Sequence, residues 1–173
     1  MPTISRIGFG QVEPNHLSAQ RTGQIYAQLP AAADIEVLEN GQFVKYDYAN
    51  NEVNTTGAGE WMLVLNEVKL YGDSLGESYK DFALVKGAYD RGEMYPRVFK
   101  TNIGDIYTTN CLEKAGAKGA TTEGTEEIAV GDTLKINEAG FLSKTGTSDI
   151  AFQVVKIYTM PDGQAAVKVM RIA

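Results

Sequence analysis

The chain has 173 residues and only one cysteine, one histidine and one tryptophan. With Cys111 alone, no intrachain disulfide and no cysteine-built metal cluster can form. His16 has no cysteine or histidine at ligand spacing, so neither a zinc site nor a Ser-His-Asp triad finds its second member. Lysine and arginine nowhere cluster, and the net charge is −6 with a pI near 4.8. That balance argues against a nucleic-acid partner, which calls for a basic patch. No apolar run approaches the roughly 18 residues that span a membrane. The opening "MPTISRIGFGQVEPNH" lacks the apolar core of a signal peptide, so synthesis in a cytoplasm is expected. Neither a phosphate-cradling GxxxxGK[ST] nor a GxGxxG leading into a helix occurs. No cofactor, no metal and no catalytic set is expected, and the chain reads as a non-enzyme.

Glycine and tyrosine, by contrast, are plentiful, with 18 and nine residues. Glycine together with β-branched and aromatic residues favours a turn-rich all-β protein. From Ile35 onward the pattern is of short strands. "DIEVLENGQFVKYDYA" predicts two strands about an Asn40-Gly41 hairpin turn. A strongly apolar strand is expected over Trp61 to Val68, and others over 82–86, 95–101 and 105–112. "DTLKIN" and "GFLSK" are joined by Glu138-Ala139-Gly140. "DIAFQVVKIYT" and "QAAVKVMRI" meet across Pro161-Asp162-Gly163, where proline presets φ and glycine returns the chain. The expectation is an all-β fold: a small β-barrel, tulip-like body or sandwich of eight to ten short antiparallel strands with an extended N-terminal arm.

One phrase occurs twice. "IGDIYTTN" starts at Ile103 and "VGDTLKIN" at Val130, with their glycines 27 residues apart. Glycine turns the chain, aspartate caps the turn with its side chain, and the alternating residues that follow enter the core. Both copies read as corner devices. "NGQFVK" at 40–45 and "EAGFLSK" at 138–144 are a fainter echo of each other.

Residues 1–34 differ in texture. They hold Pro2, Pro14 and Pro30 and only scattered apolar residues, with one weak amphipathic helix conceivable over 17–29 and weakened by Gly23. This segment reads as an arm that orders on a partner, with Ile4, Ile7, Phe9, Val12, Leu17, Ile25 and Tyr26 as anchors. The domain division is therefore 1–34 as arm and 35–173 as body, with 71–96 a possible inserted lobe. The acidic pairs Glu126-Glu127 and Glu36/Glu39 read as solvated acids, Cys111 as a small buried side chain, and the polar stretch 90–97 as a salt-bridged surface loop.

"VLENGQFVKYD" followed by "VGDTLKINEAGFLSK" resembles the paired β elements of the capsid decoration, or cement, proteins of tailed bacteriophages. The resemblance covers residues 35–173 as a pattern and 1–34 by its arm-like character. It implies a structural protein on the outer surface of the virion capsid, made in the host cytoplasm. Its partner would be the major capsid protein, and a homo-oligomer stays open. It implies no catalytic residue. The alternative is a receptor- or carbohydrate-binding head or fibre protein, in which Tyr71, Tyr79, Tyr89 and Tyr95 would present a sugar-stacking surface.

Overall fold

The computed structural model describes residues 3–4, 8–14, 27–66, 82–87, 93–113 and 126–173. Among these, all regular structure is β. The strands in chain order are β1 (Thr3–Ile4), β2 (Val12–Glu13), β3 (Val37–Glu39), β4 (Phe43–Asp47), β5 (Glu52–Asn54), β6 (Trp61–Val64) and β7 (Ala83–Val85). They continue with β8 (Val98–Phe99), β9 (Ile106–Thr109), β10 (Glu126–Glu127), β11 (Thr133–Ile136), β12 (Leu142–Ser143), β13 (Ala151–Thr159) and β14 (Ala165–Arg171).

A six-stranded sheet runs β12-β11-β13-β14-β9-β2, and a four-stranded sheet runs β5-β4-β6-β8. The pairs β3-β7 and β1-β10 stand as two-stranded sheets, and all these pairings are antiparallel. Among the described residues no sheet closes on itself, so the barrel alternative gives way to the sandwich.

The two larger sheets share a core. Phe43, Leu63 and Phe99 of the four-stranded sheet meet Tyr107, Leu134 and Phe152 of the six-stranded one. The Phe152 ring lies 5.6 Å from that of Phe43 and 5.7 Å, edge-on, from that of Tyr107. Alternate residues of the four-stranded sheet turn the other way. Val44, Tyr46, Met62, Val64 and Val98 form a second core with Leu29 and Leu38. A strand covered on both faces needs apolar side chains in succession rather than alternation. That is why Trp61-Met62-Leu63-Val64 reads as one unbroken run.

Two expectations are corrected here. The strands flanking Asn40-Gly41 do not pair with each other: β3 pairs with β7, and β4 with β5 and β6. Gly41 does have a left-handed φ of 95°. A tight two-residue hairpin also wants positive φ at the first central residue, and the residues with that conformation do not include Asn40. The turn therefore sends the chain from one sheet to the next. Second, Val12 was expected to anchor an arm on a partner. It is only 7 % exposed, belongs to the central core, and β2 is hydrogen-bonded along β9.

Other described parts of that segment are tied to the body as well. The Gly10 N–H donates to the Glu39 carboxylate at 2.5 Å, and the Gln11 N–H to Asn110 Oδ1 at 2.8 Å. Leu29 and Ala32 are buried, and the Ala31 N–H donates to the Met94 carbonyl at 2.7 Å. In segment 71–96, β7 pairs with β3 and Met94 is buried against the body.

Candidate functional site

The repeated phrase builds the same corner twice. Gly104 and Gly131 have φ of 90° and 95°. The Gly104 N–H donates to the Arg171 carbonyl, and the Arg171 N–H donates back to the Asp105 carbonyl. Gly131 and Asp132 bracket Val154 in the same way. Two residues facing one, with a left-handed glycine first, is a glycine-type β-bulge.

The aspartate side chain completes each corner by accepting the backbone N–H three residues earlier. Asp105 Oδ2 takes Asn102 at 2.7 Å, and Asp132 Oδ2 takes Ala129 at 2.9 Å. A third copy of the corner has glutamine in the aspartate's place. Gly41 and Gln42 bracket Val64, and Gln42 Oε1 accepts the Glu39 N–H at 3.2 Å. The signal was present as a glycine followed by a side-chain oxygen.

The residue before glycine lies at the corner tip. Ile103 is 68 % exposed and Val130 61 %. Single exposed apolar side chains are ordinary on protein surfaces. These two, however, sit at the same place in the same device. Every pairing between β11 and β9 is antiparallel and the two lie three strands apart, so they run in opposite directions. The two corners flank the β13–β14 hairpin on opposite sides, one against Arg171, which pairs with Phe152, and the other against Val154, so they stand only two residues apart along the strands. The separation across the strands alone is about 14 Å at ordinary strand spacing.

The corner at Asp132 carries charge as well. The Ala129 N–H, first, and then Lys144 Nζ at 2.9 Å hold its carboxyl below the usual aspartate range. Asp47 is likewise lowered, first by the Asn50 backbone N–H. For Asp162 burial pushes the carboxyl up, but hydrogen bonds from Gln164 and Gln11 outweigh it and the net direction is down. A folded-state pKa below the unfolded one means that the unfolded chain binds more protons, so stability rises with pH through that window. Stability is therefore expected to be lost as pH falls below about 4, through the folded pKa values of these aspartates. Asp132→Asn should narrow this loss. Urea melts at neutral and acid pH check it, and a wild-type–variant gap that widened in acid would contradict the assignment.

A cleft of about 800 Å³ opens between the β5–β6 loop and the loops that flank β12. Trp61 lies in its wall with Lys45 Nζ 4.6 Å from the ring centroid. Thr55, Thr56, Thr147 and Ser148 bring hydroxyls, and Glu60, Glu138 and Asp149 bring carboxylates. Glu60 is engaged by Lys100 at 2.9 Å and by Arg171 at 3.5 Å.

The expected contact residues are scattered. Phe9 is half-buried beside the buried Gly10, and Val12 is in the core. The Ile4 backbone pairs with Glu126. Ile7, Leu17, Ile25 and Tyr26 lie outside the described residues, as do His16 and the tyrosines at 71, 79 and 89. Tyr95 is exposed, with its hydroxyl donating to Glu93 at 2.5 Å. Of the acids read as solvated, Glu36 is exposed and meets Lys86 at 3.2 Å, but Glu39 is buried. It faces the incoming backbone of Gly10, which supplies the N–H that compensates its desolvation. Cys111 is fully buried and forms no disulfide. Among the described residues no group of three or more His, Cys, Asp or Glu side chains could hold a metal ion. In comparison with known proteins, the chain matches no family model, no characterised protein and no solved structure.

Proposed function

We propose that this chain is a structural protein that binds the outer surface of a tailed-phage capsid and holds neighbouring major capsid subunits together. The observation that carries the reading is the pair of apolar tips, Ile103 and Val130, held by identical corners on either side of the β13–β14 hairpin. A clamp needs two grips on a stiff body. Each corner is stiffened by its carboxylate cap and by two backbone hydrogen bonds into the neighbouring strand.

Burying one such side chain contributes roughly 1.5–3 kcal/mol before ordering costs. One grip is weak. The second re-forms intramolecularly, and coupling of this kind strengthens attachment by about 10²–10⁴-fold without new contacts. The leading residues Ile4, Ile7, Phe9, Leu17, Ile25 and Tyr26 add to the grip in this reading, while Val12 holds β2 to the body. No chemistry is involved, and the acidic surface suits an exterior position.

The test is binding to empty shells of the cognate major capsid protein. Ile103→Asp and Val130→Asp should each weaken attachment by about tenfold, and the double variant by at least about 100-fold. Melting temperatures should hardly move, because both side chains face solvent. Wild-type attachment by the double variant would overturn the clamp, as would failure of the native chain to bind shells.

A further inference from the structure

We infer that the cleft beside Trp61 is a binding site for a neutral oligosaccharide, separate from the capsid clamp. Its volume of about 800 Å³ is in the range of small-ligand sites. The lining combines an apolar floor with groups of every hydrogen-bonding kind. Ile136, Ile150 and the half-buried Trp61 supply the apolar part. Thr55, Thr56 and Thr147 offer hydroxyls that donate and accept, and Glu138 and Asp149 only accept when ionised.

Lys45 donates only. Among the described residues no carboxylate pairs with its ammonium, which rests over the indole. A sugar matches such a lining because each hydroxyl both donates and accepts, and its C–H face covers an aromatic ring. An anionic ligand would meet Glu138 and Asp149 against one lysine, since Glu60 is already paired with Lys100 and Arg171. A cationic ligand would meet Lys45 already on the ring.

The walls are in place before any ligand arrives. Asn54 Oδ1 accepts the N–H groups of Thr56 at 3.1 Å and Gly57 at 2.6 Å, which fixes the β5–β6 loop. Gly57 and Gly59 lie so close to the Tyr46 carbonyl that an added Cβ would stand 2.9 and 2.8 Å from its oxygen. On the opposite wall, Ser148 Oγ accepts the Ile136 N–H at 2.9 Å and donates to the Ile150 carbonyl at 2.7 Å. A preformed site avoids the ordering cost that weakens binding by flexible loops.

The test uses the full chain with chitotetraose, cellotetraose and maltotetraose, each at millimolar concentration, followed by saturation-transfer NMR and calorimetry. At least one should bind, and Trp61→Ala should weaken it by about tenfold or more. Trp61 also packs on the central core, so Glu138→Ala and Asp149→Ala, both at exposed positions, serve as variants that should keep the melting temperature and still lose affinity. Binding of none of the three sugars, or binding indifferent to all three substitutions, would overturn the inference. Capsid attachment should be unchanged in the cleft variants. Its loss there would also overturn the inference, by making the cleft a capsid contact, whereas sugar binding that survives Ile103→Asp/Val130→Asp would leave the site standing even if the clamp failed.

Discussion

Gly140→Ala is expected to destabilise the protein by about 2–5 kcal/mol, far more than the same change at Gly104, Gly131 or Gly163, left-handed glycines with open space around them. Gly140 has a φ of 83°, in which a side chain costs about 1–2 kcal/mol. It is also buried, and an added Cβ would sit against the Phe43 carbonyl oxygen, well inside contact distance. The neighbouring backbone would have to shift, and the Gly140 carbonyl accepts the Phe43 N–H at 2.7 Å. That bond joins the β11–β12 turn to the four-stranded sheet, so the strain falls on the sheet-to-sheet contact. Gly104 is the internal control. It has the same left-handed backbone, with a φ of 90°, but nothing lies within 4 Å of an added Cβ. Gly104→Ala should cost only the conformational part, about 1–2 kcal/mol. Equal losses in denaturant melts would show that the crowding at Gly140 carries no weight.

Phe152→Ala is expected to cost about 3–5 kcal/mol, with the melting temperature falling by roughly 2–4 °C for each kcal/mol in a chain of this size. Phe152 is fully buried and touches rings on both sides of the sandwich. Truncation leaves a cavity that β4 and β9 line from opposite sheets, so neither can collapse into it without pulling its own sheet along. Phe152→Leu should lose much less. Thermal melts followed by circular dichroism settle the comparison. A cost for Phe152→Ala below about 1 kcal/mol, the range of volume-conserving swaps, would mean the two sheets are not joined through this ring.

What could be read from the residues alone was the local part. The β13–β14 hairpin is announced by two alternating runs around Pro161-Asp162-Gly163, and all its information lies within a few residues of the turn. The Gly-Asp corners are local in the same sense: a left-handed glycine and a short acidic side chain complete the turn whatever the chain does later. All-β character followed from composition for the same reason. Assignment of partners was another matter. Asn40-Gly41 looks like a hairpin, yet β3 finds its partner at 83–85 and β4 finds its partners at 52–54 and 61–63. Val12 looked spare in a polar, proline-bearing stretch because the core it joins, with Tyr107 and Val167 among its members, is built from residues far along the chain. Glu39 looked solvated because nothing near it in the chain marks the backbone N–H of Gly10 that meets it.

The cleft was not legible at all. Lys45, Trp61, Glu138 and Asp149 come from separate turns and strands, and no pattern in the sequence brings them together. The sequence by itself determined where the chain bends and which kind of regular structure it forms, since those follow from φ preferences and side-chain reach over three or four residues. Only the tertiary structure decided which strands are neighbours, that the two corner tips flank one hairpin, and that a tryptophan, a lysine and several acids share one opening. Burial is a bargain among distant parts of the chain, and no stretch of residues contains its terms alone.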